Sequence, residues 1–257
     1  MNEIIEKFSK IPEVEAIAIG GSTTAKTFDK SSDIDIYVFS ANGVPLEVRQ
    51  NIIKEVSTKY ETGEEYFGSG DEFLYDKDNI VLDMMYWNKG WFEDVVENVW
   101  NKHYSSNGYT TCFLYTLNNF KVVYDTNNWL QNLQNKIKTD YPIELQKNII
   151  ERNLMLMKDK PFASYYEQIE KAVQRNDINS INHRVAAFLA SYFDIIFAMN
   201  KLLHPGEKRL VKYALENCKI LPEYFEENIE KLLTAPKSEV TIILDNIVEN
   251  LKKCLAK

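Results

Sequence analysis

A glycine turn followed by a strand with two aspartates constrains this chain more than any other feature. Residues 14–19 form a short apolar run with β-branched side chains, which predicts a buried strand. Residues 20–22 then read Gly-Gly-Ser, and residues 33–39 read Asp-Ile-Asp-Ile-Tyr-Val-Phe. Because side chains alternate along a strand, Asp33 and Asp35 share one face of the second strand. The sequence therefore predicts two strands that carry a carboxylate pair after a flexible turn.

The chemistry of this unit is typical of a site for phosphate and a divalent cation. Gly20 and Gly21 have no Cβ, so the backbone can approach a ligand closely, and its N–H groups together with the Ser22 hydroxyl can bind phosphate oxygens. Asp33 and Asp35 repel each other unless a cation joins them, and oxygen ligands suit Mg²⁺. A Gly-Gly-Ser segment alone is common as an ordinary turn, and an Asp-x-Asp pair alone is common on a solvated strand face. Their combination predicts a nucleotide-handling metal site.

The Gly-Ser turn, the spacing of about ten residues and the Asp-hydrophobic-Asp-hydrophobic run resemble the signature of the DNA polymerase beta-like nucleotidyltransferase superfamily. This superfamily includes the antibiotic-modifying adenylyltransferases of bacteria. The resemblance implies a third metal-site carboxylate on a later neighbouring strand, and the best match is Asp83, the only acid in the apolar run 79–87. Taken without the resemblance, Asp83 is more simply a strand-edge residue whose carboxylate accepts backbone hydrogen bonds.

A weaker similarity lies near residue 205. A little-characterised group within the superfamily carries a helical C-terminal region with a similar Asn and Pro-Gly-x-Lys segment, which here corresponds to Asn200 and to residues 205–208. Lys208, near the start of a predicted helix, can reach the triphosphate of a bound nucleotide. The alternative for Lys208 is a solvated surface lysine.

The resemblance implies Mg²⁺-dependent nucleotidyl transfer. Asp33, Asp35 and Asp83 would hold two Mg²⁺ ions, with Asp83 also taking the acceptor proton, while Gly21 and Ser22 would hold the β and γ phosphates. The expected reaction moves AMP from ATP, or another NMP from its triphosphate, to a hydroxyl of a small, antibiotic-like cationic acceptor. Two alternatives stay open: a catalytically inactive fold that binds a nucleotide or a partner, as an antitoxin does, and nucleotidylation of protein or tRNA ends.

Hydrophobic periodicity predicts an α+β fold, with an N-terminal mixed sheet and flanking helices followed by an all-helical C-terminal bundle. We expect a catalytic domain over residues 1–140 and a helical substrate-binding domain over residues 141–257. The predicted strands are 14–19, 33–39, 64–68, 79–87 and 120–124. The predicted helices are 2–9, 45–59, 94–103, 129–138, 143–158, 162–175, 178–202, 206–217, 222–233 and 238–255.

Two acids in the helical half are candidate substrate ligands. Asp194 lies among apolar residues of the helix 178–202, so it either pairs with a buried base such as Arg184 or Arg209 or faces a cleft and binds a substrate amine. Glu167 lies beside an apolar helical stripe and is a candidate general base, although a Glu in this position is more often solvated.

Charge and cysteine content narrow the expected partners. Residues 1–140 hold 13 Lys and Arg against 22 Asp and Glu, which disfavours nucleic acid and favours cationic small molecules. The three cysteines are widely spaced, which predicts free thiols in a reducing compartment and argues against zinc. The N-terminus lacks the basic start of a signal peptide, and the apolar stretch 185–199 is too short to cross a bilayer, so we expect a cytoplasmic protein.

Overall fold

The computed structural model of the chain describes residues 1–21, 33–66, 68–160 and 162–256. The chain divides into two compact units: residues 1–97 and 116–140 form the first, called here the sheet unit, and residues 98–115 and 141–257 form the second, called here the helical unit. The predicted α+β fold class is confirmed. The assignment of a catalytic role to one part and a substrate-binding role to the other stays a prediction.

The sheet unit is built around six strands in the order β3-β4-β5-β2-β1-β6. The pair β2 and β5 is parallel, and the other neighbouring pairs are antiparallel. The strands are β1 (Ala16–Ile19), β2 (Ile34–Ser40), β3 (Tyr60–Glu64), β4 (Gly70–Tyr75), β5 (Ile80–Asn88) and β6 (Lys121–Asp125). The α-helices described within residues 1–140 are α1 (Asn2–Ser9), α2 (Leu46–Lys54), α3 (Lys89–Val96), α4 (Cys112–Asn119) and α5 (Trp129–Ile137).

The two faces of the sheet differ in what they carry. One face packs on α1 and α2 through an apolar core that includes Ile4, Phe8, Ile53, Ile36 and Leu82. Alternation along β2 and β5 places the acids on the opposite face, with Asp35 and Asp83 at one end and aromatic rings farther along the same strands. The face that packs on α1 and α2 therefore anchors the sheet, and the other face is left for the site.

Most of the predicted elements are confirmed to within a few residues, but the region between α2 and β5 is not. A single strand was expected at 64–68, whereas the chain forms the antiparallel pair β3 and β4 on either side of it. β4 was not predicted because Asp71 is buried at a position where the alternation of a strand calls for an apolar residue. The helix expected at 94–103 begins earlier, as α3, and ends in a π-helical turn, Glu97–Asn101.

The helical unit is organised around one long buried helix, α8 (Ile178–Met199). Its residues Val185, Phe188, Tyr192 and Ile196 recur at helical spacing and all lie in the core. The remaining helices are α6 (Ile143–Leu154), α7 (Tyr165–Gln174), α9 (Leu210–Asn217), α10 (Phe225–Thr234) and α11 (Val240–Leu255). A search of the described residues finds no helix with the length and apolar character needed to span a bilayer.

Candidate functional site

Asp35 and Asp83 stand side by side on the two parallel strands of the sheet. In the register of β2 and β5, Asp35 is paired with Asp83, and Ile34 and Ile36 are paired with Leu82 and Met84. Paired residues of neighbouring strands project from the same face, so both carboxylates lie on the side opposite the apolar core. Both are half-buried. Two acids distant in sequence are thus brought together, as the third-carboxylate hypothesis requires.

The glycine turn lies directly against Asp35. The Gly20 N–H donates a hydrogen bond of 2.9 Å to the backbone carbonyl of Asp35. Gly21 has φ +68°, in the left-handed region, and a Cβ placed on it would overlap the Asp35 carboxylate and lie 2.6 Å from its Cγ. Gly21 is therefore required twice, for its backbone conformation and for the space that the carboxylate occupies.

Several negatively charged side chains act on Asp83. The pKa of Asp83 is raised to about 6, first by burial and next by the negative charge of Asp35 beside it. Three more acids contribute in the same direction: Glu72, Asp33 and Glu64. Asp33 is exposed and lies just before β2. The three predicted carboxylates therefore share one electrostatic neighbourhood.

The donor set fits a hard divalent cation. It consists of carboxylate oxygens whose mutual repulsion a cation would relieve, and Mg²⁺ prefers oxygen ligands. Across the described residues, no three His, Cys, Asp or Glu side chains stand close enough to form a ready-made metal cluster. A cation held by Asp35 and Asp83 could take the exposed Asp33 as a further ligand.

The acids continue across the sheet in a row that the sequence did not reveal. Glu72 of β4 is paired with Asp83, and Glu61 of β3 is paired with Glu72. The row Asp35, Asp83, Glu72 and Glu61 thus spans four adjacent strands on one face. Glu72 was missed because β4 was not predicted, and without that strand its register with Asp83 cannot be inferred.

Beyond the carboxylates, an aromatic cluster covers the same face. Tyr37 follows Asp35 by two residues on β2, and its ring lies 4.7 Å from the rings of both Trp87 and Phe120. Burial raises the pKa of Tyr37, and the charges of Asp35 and Asp83 raise it as well. The cluster is completed by Phe39, Phe92, Trp91 and Trp129.

Two predicted nucleotide ligands, Ser22 and Lys208, stay predictions. Ser22 lies outside the described residues. Lys208 is exposed in the turn before α9, which begins at Leu210 and not at the predicted residue 206, and a nucleotide-binding role for it stays a prediction.

Asp194 has a structural explanation. Its side chain is 1% exposed, and its carboxylate accepts hydrogen bonds from the Thr110 N–H (3.1 Å), the Thr110 hydroxyl (2.6 Å) and the Asn153 amide (3.2 Å). Burial raises the pKa of Asp194 to about 6. The partners are thus a hydroxyl, an amide and a backbone N–H and not the expected arginines. These contacts account for Asp194 without a substrate amine.

Glu167 is also explained by local structure. It lies in the first turn of α7, where the Ser164 hydroxyl accepts a hydrogen bond from the Glu167 N–H (3.2 Å). The Glu167 carboxylate in turn accepts from the Ala163 N–H (2.6 Å). This reciprocal arrangement resembles a capping box at the start of a helix. Glu167 therefore has a helix-capping task that needs no catalytic role.

Two family models match the chain in separate regions. Residues 1–78 match a nucleotidyltransferase domain, and this range contains the glycine turn and both Asp33 and Asp35. Residues 109–210 match a domain of unknown function, DUF4037, which includes Asn200 and the Pro-Gly-x-Lys segment. A comparison with curated proteins finds no match.

Solved structures extend the comparison to the whole chain. A nucleotidyltransferase-like protein from Exiguobacterium sibiricum 255-15 aligns with a TM-score of 0.51 at 10% identity, over 98% of this chain and 73% of the other. Spectinomycin adenyltransferase AAD(9) from Enterococcus faecialis aligns over 98% and 99% at 16% identity, with a TM-score of 0.32. A STING-associated CdnE c-di-GMP synthase from Capnocytophaga granulosa aligns over 99% and 79% at 14% identity, with a TM-score of 0.27.

The last two TM-scores are too low to support an argument, and the first supports the fold alone. Residues 1–78, which contain the Gly-Gly turn and both Asp33 and Asp35, are thus similar to a nucleotidyltransferase domain.

Proposed function

We propose that the protein is a Mg²⁺-dependent nucleotidyltransferase that moves an NMP, with AMP from ATP as the first candidate, to a hydroxyl of a small cationic molecule. The observation that carries this proposal is the register of Asp35 with Asp83 on neighbouring parallel strands, beside a glycine turn that leaves room for the Asp35 carboxylate. Such a pair costs stability in the absence of a cation, so its presence is best explained by ligand binding.

Each residue of the pair has a distinct task in this proposal. Asp35 and Asp83, with Asp33 drawn in, would hold Mg²⁺, which when bound neutralises phosphate charge and polarises the reacting phosphoryl group. The acceptor hydroxyl attacks the α-phosphorus in line, so a new O–P bond forms as the bond to the leaving pyrophosphate breaks. Asp83 accepts the hydroxyl proton as a general base.

The glycine turn would receive the phosphates. Its backbone can approach an anion closely, since neither Gly20 nor Gly21 carries a Cβ. Ser22 would assist with its hydroxyl. Lys208, if it reaches the triphosphate, would add a point charge to the same group.

The acidic row supports a cationic acceptor. When Asp35 and Asp83 are engaged, Glu72 and Glu61 still present negative charge on the same face. A positively charged small molecule gains from this field, whereas RNA is repelled by it.

Transfer of label from α-³²P-ATP tests the reaction and the acceptor class together. The acceptors to compare are hydroxylated amines such as aminoglycosides and spectinomycin, their uncharged sugar counterparts, tRNA, and protein from a bacterial lysate. We expect label on the hydroxylated amines only, and only with Mg²⁺. Label on tRNA or on protein would replace the small-molecule acceptor, and no labelled product with any nucleoside triphosphate would contradict the enzymatic function itself.

A further inference from the structure

Tyr37 is a polar side chain at the site that neither the superfamily motif nor the proposed mechanism uses. It lies two residues beyond Asp35 on β2, so both project from the same face of the sheet. The side chain is 8% exposed, and its ring is held between Trp87 and Phe120. Its position is therefore set by packing and does not depend on a ligand.

The ring leans toward the carboxylate end of the strand. A Cβ placed on Gly20 would lie 2.6 Å from Cε2 of Tyr37, so this edge of the ring touches the glycine turn. Gly20 stands opposite Asp35, to whose carbonyl it donates a hydrogen bond of 2.9 Å. Since Cε2 is bonded to the ring carbon that carries the hydroxyl, the hydroxyl also lies at the level of the turn and of Asp35.

The hydroxyl has no partner among the described residues. It makes no hydrogen bond to any of them, and it is not among the buried polar atoms that are sealed from solvent. Buried tyrosines usually satisfy their O–H group, so this unused donor on a fixed ring is a group that a ligand can engage.

The neighbouring groups decide what that partner is. Asp35 and Asp83, when ionised, can only accept hydrogen bonds, whereas a phenol can donate one. A phosphate oxygen is an acceptor, and the glycine turn beside the Tyr37 ring is where the proposed function puts the phosphates. We propose that the Tyr37 hydroxyl is a substrate-binding group that donates a hydrogen bond to a phosphate oxygen of the bound nucleotide. This inference rests on the proposed site.

Tyr37→Phe isolates the hydroxyl, because the phenyl ring keeps the contacts with Gly20, Trp87 and Phe120. The matched control is Tyr141→Phe in the helical unit, which also removes a tyrosine hydroxyl without a partner. Two readouts are taken for each protein: the Kd of Mg²⁺-tripolyphosphate by calorimetry, which needs no base and no turnover, and the rate of nucleotidyl transfer. We expect Tyr37→Phe to weaken tripolyphosphate binding or slow transfer by about 10- to 100-fold, with an unchanged melting temperature. Tyr141→Phe should behave as the wild type.

The two readouts separate the failure of this inference from the failure of the proposed function. Equal affinity and equal transfer in Tyr37→Phe and the wild type would contradict the role of Tyr37 and leave the enzyme assignment standing. Tripolyphosphate binding that depends on Tyr37, in a protein that transfers nothing, would support the phosphate contact and reject the enzymatic function. A wild type that binds neither tripolyphosphate nor any nucleoside triphosphate would reject both.

Discussion

At the scale of single residues, the site is a compromise between stability and ligand binding. Asp35 and Asp83 are half-buried neighbours, and the raised pKa of Asp83 records the cost of keeping both ionised. The apolar core lies on the other face of β2 and β5, so neither acid is part of it. We therefore expect the free energy of unfolding to rise when one of these two acids is neutralised.

Asp83→Asn should raise the melting temperature of the metal-free protein, and more at pH 8 than at pH 5. The folded protein holds the Asp83 proton up to a pH of about 6, whereas an unfolded chain releases it near a pKa of about 4, so stability falls as pH rises between these values. Above pH 6 the full penalty is present, and relieving it should yield about 1 to 2 kcal/mol after allowance for solvent screening. Thermal unfolding at both pH values, with the exposed Asp140→Asn as control, measures this. A loss of stability at pH 8 would make Asp83 a structural residue.

Gly21→Ala should impair nucleotidyl transfer, whereas Gly43→Ala should cost only stability. Both glycines have positive φ, +68° and +80°, so alanine strains the backbone at both positions by about 1 to 2 kcal/mol. A Cβ on Gly43 meets nothing within 4 Å, but one on Gly21 collides with the Asp35 carboxylate. Displacing that group should lower kcat/KM for transfer by about 100-fold. Similar losses of activity in both variants would show that strain, and not the Asp35 contact, is responsible.

At the scale of elements, a buried polar network holds the segment 98–115 in the helical unit. Asn153 of α6 accepts from the Gly108 N–H (3.1 Å), and Asp194 of α8 accepts from both donors of Thr110. Gly108 has room for no side chain, since a Cβ would lie 2.9 Å from the backbone of Ala190. The segment is thus fastened to two helices by groups that have no other use.

Asp194→Ala should destabilise the protein by about 2 to 4 kcal/mol, because it leaves buried donors of Thr110 and Asn153 without an acceptor. Chemical denaturation measures the change, with Asp140→Ala as an exposed control. The KM values of the folded variant for nucleotide and acceptor should stay unchanged. A raised acceptor KM with an unchanged free energy of unfolding would instead restore the substrate-binding interpretation of Asp194.

Local patterns predicted those elements whose residues alternate cleanly, and failed where a buried polar residue interrupts the alternation. The period of β2 was enough to predict that Asp33 and Asp35 share a face. In β4, the buried Asp71 is satisfied by the Tyr86 hydroxyl (2.6 Å) and the Gly63 N–H (2.8 Å), partners that the pattern cannot show. With β4 hidden, the acidic row beyond Asp83 was hidden too.

Long-range partners were likewise beyond the reach of the sequence. Thr110 and Asn153 lie 84 and 41 residues from Asp194, so the sequence suggested a buried base or a substrate amine as its partner and neither of these two residues. For Tyr37, in contrast, the sequence predicts the face of the strand correctly but not the contacts. Its place on the carboxylate face follows from its spacing of two from Asp35, but its free hydroxyl and its contact with Gly20 appear only in three dimensions.

At the scale of the whole molecule, residues 1–78 match the model of a nucleotidyltransferase domain, and residues 109–210 match that of a domain of unknown function. Residues 1–140 are strongly acidic, with 22 Asp and Glu against 13 Lys and Arg, whereas residues 141–257 are nearly balanced, with 16 against 17. The excess negative charge lies in the same part of the sequence as the carboxylate row, and it favours a small cationic acceptor over a polyanion.

The central claim is that Asp35 and Asp83 form a Mg²⁺-dependent site for nucleotidyl transfer. Its most direct test is the rate of pyrophosphate release from each of the four nucleoside triphosphates, in the presence of hydroxylated amines, as a function of Mg²⁺ concentration, for the wild type and for Asp35→Asn. We predict saturable, Mg²⁺-dependent release by the wild type and a rate at least about 100-fold lower in Asp35→Asn, which should remain folded. Equal rates in the two folded proteins, or release that does not depend on Mg²⁺, would contradict the claim.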